Sequence, residues 1–339
     1  MELNFETSSG DRVVRNWGYQ LQGSSGKSGA KTKPLSPKDL MRTAHDLIVI
    51  DMTKDGTFKN AFTRPEVEQL KTRRTANSVI VSYMSIGEAS DYRDHWQDNW
   101  TTYKDLALRC AGELTANAPA WLGAWNESWP NSRKVRYWDK DWQAIIFNDA
   151  KTGWLDRIVA SGFDGAYLDI VDGYYHWGCE IAQSKECRAG DPTNEREAAS
   201  RMIDFIVAMA THARKTNPSF LIIPQNGAYI IDALEDEDHK RRDAYLETIN
   251  AIACEDLFFK GDTPENNPLA PDEGAIDALV RDFLEPGVAV FSVDYLSDKK
   301  KIAQFYEAAT EKGFLPYAAP KRELNVMGAP YDGSGEKVA

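Results

Sequence analysis

The stretch Gly165–Glu180 reads GAYLDIVDGYYHWGCE and changes character along its length. Its apolar opening, Ala166-Tyr167-Leu168, is typical of a buried parallel strand, and Asp169 stands where that strand should meet its loop. A second aspartate and an aromatic cluster follow. Because a carboxylate is rarely buried without a partner, Asp169 predicts a polar site at the end of this strand.

Seven other runs in the chain resemble this strand, and helix-like segments alternate with them. Such alternation is typical of an α/β fold with parallel strands. Eight parallel strands, each followed by a helix, predict a (β/α)8 TIM barrel whose active site lies at the carboxyl ends of the strands. The other predicted strands are Asn16–Leu21, Leu47–Met52, Val79–Ile86, Phe220–Gln225, Ala251–Leu257, Val288–Tyr295 and Phe314–Ala318.

The pattern predicts a single domain. The barrel is expected to span residues 14–322, and residues 323–339 are expected to form a flexible C-terminal tail. An extra strand-like piece, Val135–Trp138, is placed in an insertion before the fourth strand. Thr63 is predicted to cap a helix, and Asn194–Lys215 has the apolar periodicity of an amphipathic helix.

Composition and charge exclude several classes of partner. The chain has 339 residues and is 42% hydrophobic, which is enough for a full core. Its 52 acidic and 40 basic residues give a formal net charge of -12, which repels nucleic acid, anionic lipid and acidic glycans. No apolar run approaches the roughly 20 residues of a membrane helix. We therefore expect a soluble protein with a neutral or cationic partner, and its first residues lack the pattern of a secretory signal.

The four cysteines allow two readings. Cys179 and Cys187 are close enough in sequence to form a disulfide, whereas four reduced cysteines are equally compatible with the spacing. No CxxC pair supports a zinc site. The sequence also lacks GxGxxG and Walker-type loops, so we expect no nucleotide cofactor.

Asp169 and Glu255 end the fourth and sixth predicted strands. Glycosidic hydrolysis needs two carboxyl groups around the scissile bond, one ionised and one protonated. Asp169 is expected to be the ionised partner, and Glu255, beside Leu257 and Phe258, is expected to have a raised pKa. Alternatives remain for each: Asp169 could cap its strand or pair with an arginine, and the neighbouring Asp256 could be the functional acid.

Other polar and aromatic residues cluster near the predicted strand ends. Tyr19 and Asp172 belong to this set, and Tyr174 is a candidate for stacking on a sugar because it closely follows Asp169. Asp169, Asp172 and His176 could instead form a metal site, as in metal-dependent deacetylases. Five tryptophans fall in one segment, where they could bind sugar or pack an insertion: Trp121, Trp125, Trp129, Trp138 and Trp142.

Several segments resemble the endo-α-1,4-polygalactosaminidases of glycoside hydrolase family 114. The two most specific are SIGEASDYR (Ser85–Arg93) and GFDGAYLDIVD (Gly162–Asp172). The resemblance implies a (β/α)8 barrel that cleaves α-1,4-linked galactosamine polymers, with Asp169 as nucleophile or base and Glu255 as acid. It also implies retention of configuration. The other residues that the resemblance places in the cleft are Asp51, Tyr83, Glu88, Asn226 and Tyr295.

These observations lead to one expected function and two alternatives. We expect a monomeric, extracellular or envelope-associated endo-glycosidase that needs no cofactor and acts on a cationic, galactosamine-containing polysaccharide such as one of a biofilm matrix. The first alternative is a barrel that binds polysaccharide without cutting it. The second is a metal-dependent polysaccharide deacetylase.

Overall fold

The eight predicted strands are all present in the computed structural model, which describes residues 2–23, 33–72, 78–103, 108–181, 187–235 and 238–331. The side chains of residues 179–181 lie outside this description. Within the described residues the strands are β1 Leu3–Thr7, β2 Gly10–Val14, β3 Trp17–Gln20, β4 Leu47–Asp51, β5 Val79–Ser85, β6 Glu88–Ser90, β7 Leu122–Trp125, β8 Ser132–Val135, β9 Gly165–Asp169, β10 Leu221–Pro224, β11 Ala251–Glu255, β12 Ala289–Tyr295 and β13 Leu315–Ala319.

The predicted strands pair in parallel in two sheets. Five strands follow the order β10-β9-β5-β4-β3, and three follow the order β11-β12-β13. A parallel bridge between Gln225 and Ala253 connects the end of β10 to β11. At the opposite margin the Trp17 Nε1 atom of β3 donates a hydrogen bond of 2.9 Å to the Leu315 carbonyl of β13. The two sheets therefore adjoin at both margins.

Side chains of these strands alternate between two hydrophobic clusters. In β4, Leu47 and Val49 belong to one cluster, whereas Ile48 and Ile50 belong to the other. Alternation with period two is expected when both faces of a parallel strand are buried. The first cluster draws at least one residue from each of the eight predicted strands, and the second packs those strands against helices.

The helices lie between the strands, as the alternation predicts. Thr63 is the N-cap residue at the predicted helix start, where Glu66 Oε2 accepts from its backbone N–H at 2.9 Å and from its hydroxyl at 3.0 Å. Asn194 caps the long helix by accepting from the backbone N–H of Glu197 at 2.9 Å. The helices are α1 Pro37–Leu40, α2 Arg64–Lys71, α3 Lys140–Ile146, α4 Trp154–Ala160, α5 Gly173–Tyr175, α6 Glu195–Arg214, α7 His239–Thr248, α8 Glu273–Leu279 and α9 Lys299–Glu311. A 3-10 turn spans Phe58–Asn60, and π-helical turns span His176–Ile181 and Val280–Leu284.

A small antiparallel sheet of order β6-β8-β7 lies between β5 and β9 in sequence. The strand predicted at Val135–Trp138 is shifted in the structure and lies at Ser132–Val135. The chain turns after Val135 because Asp139 begins α3, where its side chain accepts from the Asp141 backbone N–H at 2.8 Å. Glu88 lies in β6, so this sheet determines its position.

The two ends of the described chain pack on the central strands. The β1–β2 hairpin spans residues 3–14 and contributes Phe5 and Val14 to the same cluster as Trp17. At the other end, Leu324 is buried in that cluster, and the Tyr331 ring stacks on Tyr306 with centroids 4.2 Å apart. Residues 323–331 of the predicted tail are thus packed, while residues 332–339 lie outside the described residues.

Candidate active site

Asp169 and Glu255 occupy the last positions of β9 and β11, and both line one cavity of about 770 Å³. Tyr83 of β5 and Tyr295 of β12 line the same cavity. Because parallel strands end at the same edge, residues far apart in sequence converge there. The cavity lies in the size range of ligand sites in proteins.

Asp169 is held by neutral donors. Its Oδ2 atom accepts a hydrogen bond of 2.7 Å from the Tyr83 hydroxyl, and its Oδ1 atom accepts one of 2.9 Å from the backbone N–H of Ile170. Both contacts stabilise the ionised carboxylate. They leave the half-buried side chain at the cavity wall rather than folded into the core.

Glu255 is also held by neutral hydrogen-bond donors. Its Oε2 atom accepts a hydrogen bond from the Tyr295 hydroxyl, and its Oε1 atom accepts a long one of 3.4 Å from Asn226 Nδ2. Asn226 also accepts from the Glu255 backbone N–H, at 3.4 Å. Within the described part of the chain neither Asp169 nor Glu255 forms an ion pair with a lysine, arginine or histidine.

Both carboxyl groups have pKa values raised above the ordinary values of aspartate and glutamate. Burial and the charge of Glu255 raise the pKa of Asp169 to about 8, against the lowering effect of Tyr83. Burial also raises the pKa of Glu255, and the adjacent Asp256 adds to this shift against the effect of Tyr295. Two carboxylates that face one cavity disfavour double ionisation, so the pair holds a proton near neutral pH. This raised pKa contradicts the expectation that Asp169 is ionised in the unliganded protein, although its side chain does line the cavity.

Backbone strain is concentrated at the same strand ends. Ile170, Asn226 and Asp256 have φ angles of 62°, 66° and 55°. Ile170 and Asp256 directly follow β9 and β11, and Asn226 lies two residues beyond the end of β10. A left-handed conformation is unusual for any of these residues and costs most for the β-branched Ile170. Gly87 makes room for it, since a Cβ there would lie 2.4 Å from the Ile170 carbonyl oxygen.

Other acids of the cleft are paired with cations. Asp51, predicted to line the cleft, lies 2.5 Å from Arg93 and also accepts from the Thr53 hydroxyl at 2.6 Å. Glu88, another predicted cleft residue, lies 2.7 Å from Lys134. Both line the cavity, but their charge is already neutralised by the protein.

The remaining predicted site residues separate into two groups. The Tyr19 hydroxyl donates to Gln225 Oε1 at 3.2 Å, and Tyr19 lines the cavity. Asp172 is exposed and is not among the residues that line the cavity. Desolvation, with the charges of Glu255 and Glu88 adding to it against Lys134, raises its pKa to about 6. Tyr174, by contrast, is packed in the hydrophobic core, so the expectation that it stacks on a sugar is wrong.

The tryptophan segment proves to be mainly structural. Trp121 and Trp142 are buried and their ring centroids lie 4.9 Å apart. Trp129 is the exception, since it is 54% exposed and lines the cavity. An insertion packed by aromatic rings explains most of the segment, and Trp129 alone of the five extends the cleft wall.

Two predictions about metal and disulfide chemistry have different outcomes. Within the described residues no group of three His, Cys, Asp or Glu side chains could hold a metal ion, which removes the basis for the site of Asp169, Asp172 and His176. Cys187 carries a free, exposed thiol, and the side chain of Cys179 lies outside the described residues.

Sequence reasoning missed two cationic residues of the site, Lys134 and Arg322. Arg322 donates to both carboxylate oxygens of Asp256, at 3.0 and 2.7 Å, and its guanidinium lies 3.9 Å from the Tyr295 ring centroid. One signal could have found Arg322. It follows the last predicted strand, Phe314–Ala318, by four residues, and loops after barrel strands carry functional residues.

Comparison with protein families gives one match over nearly the whole chain. The model of glycoside hydrolase family GH114 matches residues 5–335. An uncharacterized protein of Thermotoga maritima is 31% identical over 324 residues, covering 92% of this chain and 84% of that protein. An uncharacterized protein of Methanocaldococcus jannaschii is 32% identical over 320 residues, covering 92% and 77%.

Comparison with solved structures identifies a similar fold. The glycoside hydrolase domain of PelA from Pseudomonas aeruginosa aligns with a TM-score of 0.56, covering 92% of this chain and 97% of that domain. Sequence identity over this alignment is 15%. The alignment therefore supports the α/β fold with parallel strands and carries no statement about substrate.

Proposed function

The chain belongs to glycoside hydrolase family GH114, and on that premise we propose that it is an endo-acting hydrolase of α-1,4-linked, galactosamine-containing polysaccharides. One observation carries the proposal. Asp169 and Glu255 face one cavity, have tyrosine hydroxyls rather than cations as partners, and have pKa values raised by burial. A protonated and an ionised carboxyl group are what glycosidic hydrolysis requires.

Glu255 is the proposed general acid and Asp169 the proposed nucleophile. The Asp169 carboxylate attacks the anomeric carbon, the bond from that carbon to the bridging oxygen breaks, and Glu255 gives its proton to the departing oxygen. Water then attacks the anomeric carbon of the glycosyl ester while Glu255 removes a proton from that water. This step releases Asp169 as a carboxylate and returns the proton to Glu255. Retention of configuration follows, and proton NMR of the first product anomer tests it.

A cationic sugar would complete this arrangement. Asp169 must be ionised when it attacks, but burial and Glu255 raise its pKa to about 8 in the unliganded protein. An ammonium group bound nearby would lower that pKa and shift the proton toward Glu255. The net charge of -12 also favours a cationic polymer. Fully N-acetylated polymer should therefore be cleaved more slowly than deacetylated polymer.

The strands are proposed to close into a (β/α)8 barrel. Support comes from the two parallel sheets, which adjoin through the Gln225–Ala253 bridge and through the hydrogen bond from Trp17 to Leu315. The hydrophobic cluster shared by all eight strands is what a filled barrel interior requires. We treat residues 14–322 as this barrel, with the antiparallel sheet of β6, β7 and β8 inserted before its fourth strand.

The setting of the enzyme is also proposed. A polymeric substrate favours an extracellular or envelope location, and we propose the matrix of a biofilm as the source of the cationic polysaccharide. No helix within the described residues is both long and apolar enough to cross a membrane. We propose a monomer that acts without a cofactor and does not bind nucleic acid, and sedimentation of the purified protein tests its oligomeric state.

The decisive experiment is digestion of partially deacetylated α-1,4-galactosamine polymer, followed by mass spectrometry of the products. Wild type should release short oligomers, whereas Asp169→Asn and Glu255→Gln should not. Asp277→Asn, an exposed carboxylate on α8, is the matched control and should cleave like wild type. Binding without product would favour a non-catalytic barrel, and acetate release that chelators stop would favour a deacetylase.

A further inference from the structure

Arg322 lies beside the acid Glu255 without touching it. It follows β13 and belongs to the C-terminal segment that packs along the cleft. Its guanidinium donates to both oxygens of Asp256, the residue directly after Glu255. The same guanidinium lies 3.9 Å from the centroid of the Tyr295 ring, and the Tyr295 hydroxyl donates to Glu255.

We propose that Arg322 is a positioning residue for Glu255. It fixes the ring of Tyr295 by stacking on it, and it neutralises the carboxylate of Asp256 next to the acid. The inference rests on the proposed glycosidase function, because it gives Arg322 a role in holding the acid Glu255 in place and in limiting how far its pKa rises.

The geometry of Arg322 suits this role. A planar guanidinium can stack on an aromatic ring and bind a carboxylate through two parallel hydrogen bonds at the same time, which a lysine cannot do. Two further hydrogen bonds hold Arg322 in place. Its Nε atom donates to the Pro264 carbonyl at 3.0 Å, and its backbone N–H donates to Glu265 at 3.3 Å. The arginine thus joins the loop after β11 to the segment after β13.

Electrostatics agree with the contacts. The charge of Asp256 disfavours ionisation of Glu255, and Arg322 offsets that effect. Removal of Arg322 should therefore raise the pKa of Glu255, and removal of the Asp256 charge should lower it. The other charged and titratable groups that act on or respond to Glu255 come from β9, its following loop, β11 and β12: Tyr167, Asp169, Asp172, Cys254, Asp294 and Tyr295.

The test compares Arg322→Gln, Asp256→Asn and the double variant. In the pH profile of kcat/KM, the alkaline limb reports the acid that must be protonated. Arg322→Gln should move this limb up by roughly 0.5–1 pH unit, and Asp256→Asn should move it down by a similar amount. The double variant should return the limb to the wild-type position while kcat stays about tenfold low, because Tyr295 has lost its stacking partner.

Arg322→Lys separates charge from shape. It should keep the alkaline limb near the wild-type position but lower kcat about as much as the glutamine variant does, because lysine retains the charge and loses the stack. Equal shifts in the same direction for Arg322→Gln and Asp256→Asn, or kcat losses that only follow the folded fraction from thermal melts, would overturn the inference.

A measurement without substrate keeps this inference separate from the proposed function. The 13C-carboxyl signal of Glu255, assigned by its loss in Glu255→Gln, can be titrated in each variant. Opposite pKa shifts in Arg322→Gln and Asp256→Asn would support the role of Arg322 even if the galactosamine polymer were not cleaved. Unchanged Glu255 titration in both would refute it even if the polymer were cleaved.

Discussion

Two corners of the same cleft hold a carboxylate with partners of opposite kinds. In one corner Asp51 is paired with a cation, and in the other Asp169 accepts from a neutral hydroxyl. Asp51 ends β4 and lies 2.5 Å from Arg93, whose guanidinium also lies 4.5 Å from the Trp154 ring centroid. Asp169 ends β9 and receives a hydrogen bond of 2.7 Å from the neutral Tyr83 hydroxyl. Tyr83 and Asp51 are register partners in neighbouring strands, so the two corners are built on the same sheet.

Under the proposed function, this difference in partner separates the structural carboxylate Asp51 from the reacting carboxylate Asp169. An ion pair with arginine fixes the Asp51 charge and uses it to hold the loop that carries Arg93. A tyrosine supports the Asp169 charge only partly, so the carboxyl group can gain and lose a proton near neutral pH. A strand-end position is therefore common to both acids, and the partner distinguishes the acid that can do chemistry.

The largest expected effect comes from Glu255→Gln. Glutamine keeps the shape of the side chain but cannot give up a proton, so kcat on the galactosamine polymer should fall by about 10³–10⁴-fold. The melting temperature should stay close to that of wild type. Cleavage within tenfold of wild type by this variant would place the acid elsewhere, with Asp256 as the first candidate.

Substitution of Asp51, which is paired with Arg93, should lower the free energy of unfolding rather than kcat. Asp51→Asn leaves Arg93 buried without its partner and should lower the free energy of unfolding in urea by about 3–5 kcal/mol. Asp51→Asn combined with Arg93→Met should recover part of that loss, since no charge is then left unpaired. An Asp51→Asn protein as stable as wild type would show that the two corners do not differ as argued.

The pH dependence of stability offers a third contrast. The pKa of Asp169 is raised in the folded state, so its protonated form favours folding fully below about pH 4, and this contribution is lost as pH rises through about 8. Urea denaturation at pH 4.5 and 8.5 should show that Asp169→Asn gains roughly 1–3 kcal/mol on wild type across this interval. Asp172 and Asp294, whose pKa values are raised to about 6 and about 7, keep a residual slope in both proteins. Identical pH dependence in the two proteins would contradict the raised pKa of Asp169.

The smallest effect is expected for substitution of Tyr83, the neutral hydrogen-bond donor to Asp169. Tyr83→Phe removes the hydroxyl that stabilises ionised Asp169, so the pKa of Asp169 should rise and kcat/KM at pH 6 should fall about tenfold. Tyr137→Phe is the matched control, because its hydroxyl donates to the Ala198 carbonyl at 2.8 Å away from the cleft. Equal losses in both variants would indicate a general packing effect.

Much of the fold could be predicted because period and composition are local signals. The runs that begin at Leu47 and Val79 are mostly apolar, which is typical of strands that are buried on both faces. The β1–β2 hairpin was missed because its alternation is short and mostly exposed. The strand at Ser132–Val135 was misplaced, since the aromatic Tyr137 and Trp138 resembled strand residues although they belong to a turn.

The candidate acids could also be predicted, but their partners could not. Asp51, Glu88 and Asp169 look alike in the sequence, and only the fold brings Arg93, Lys134 and Tyr83 to them. The contact between Tyr83 and Asp169 spans 86 positions, and no local pattern reports it. The expected ionised state of Asp169 was wrong for the same reason, since burial and Glu255 decide it.

The central claim is that the unpaired corner performs the chemistry and the paired corner holds the structure. The direct test is the rate of polymer cleavage per folded molecule for Asp169→Asn and Asp51→Asn, with the folded fraction measured by circular dichroism at the assay temperature. The account predicts a loss of at least about 10³-fold for Asp169→Asn and less than about tenfold for Asp51→Asn. Comparable losses in the two variants, or a larger one for Asp51→Asn, would contradict it.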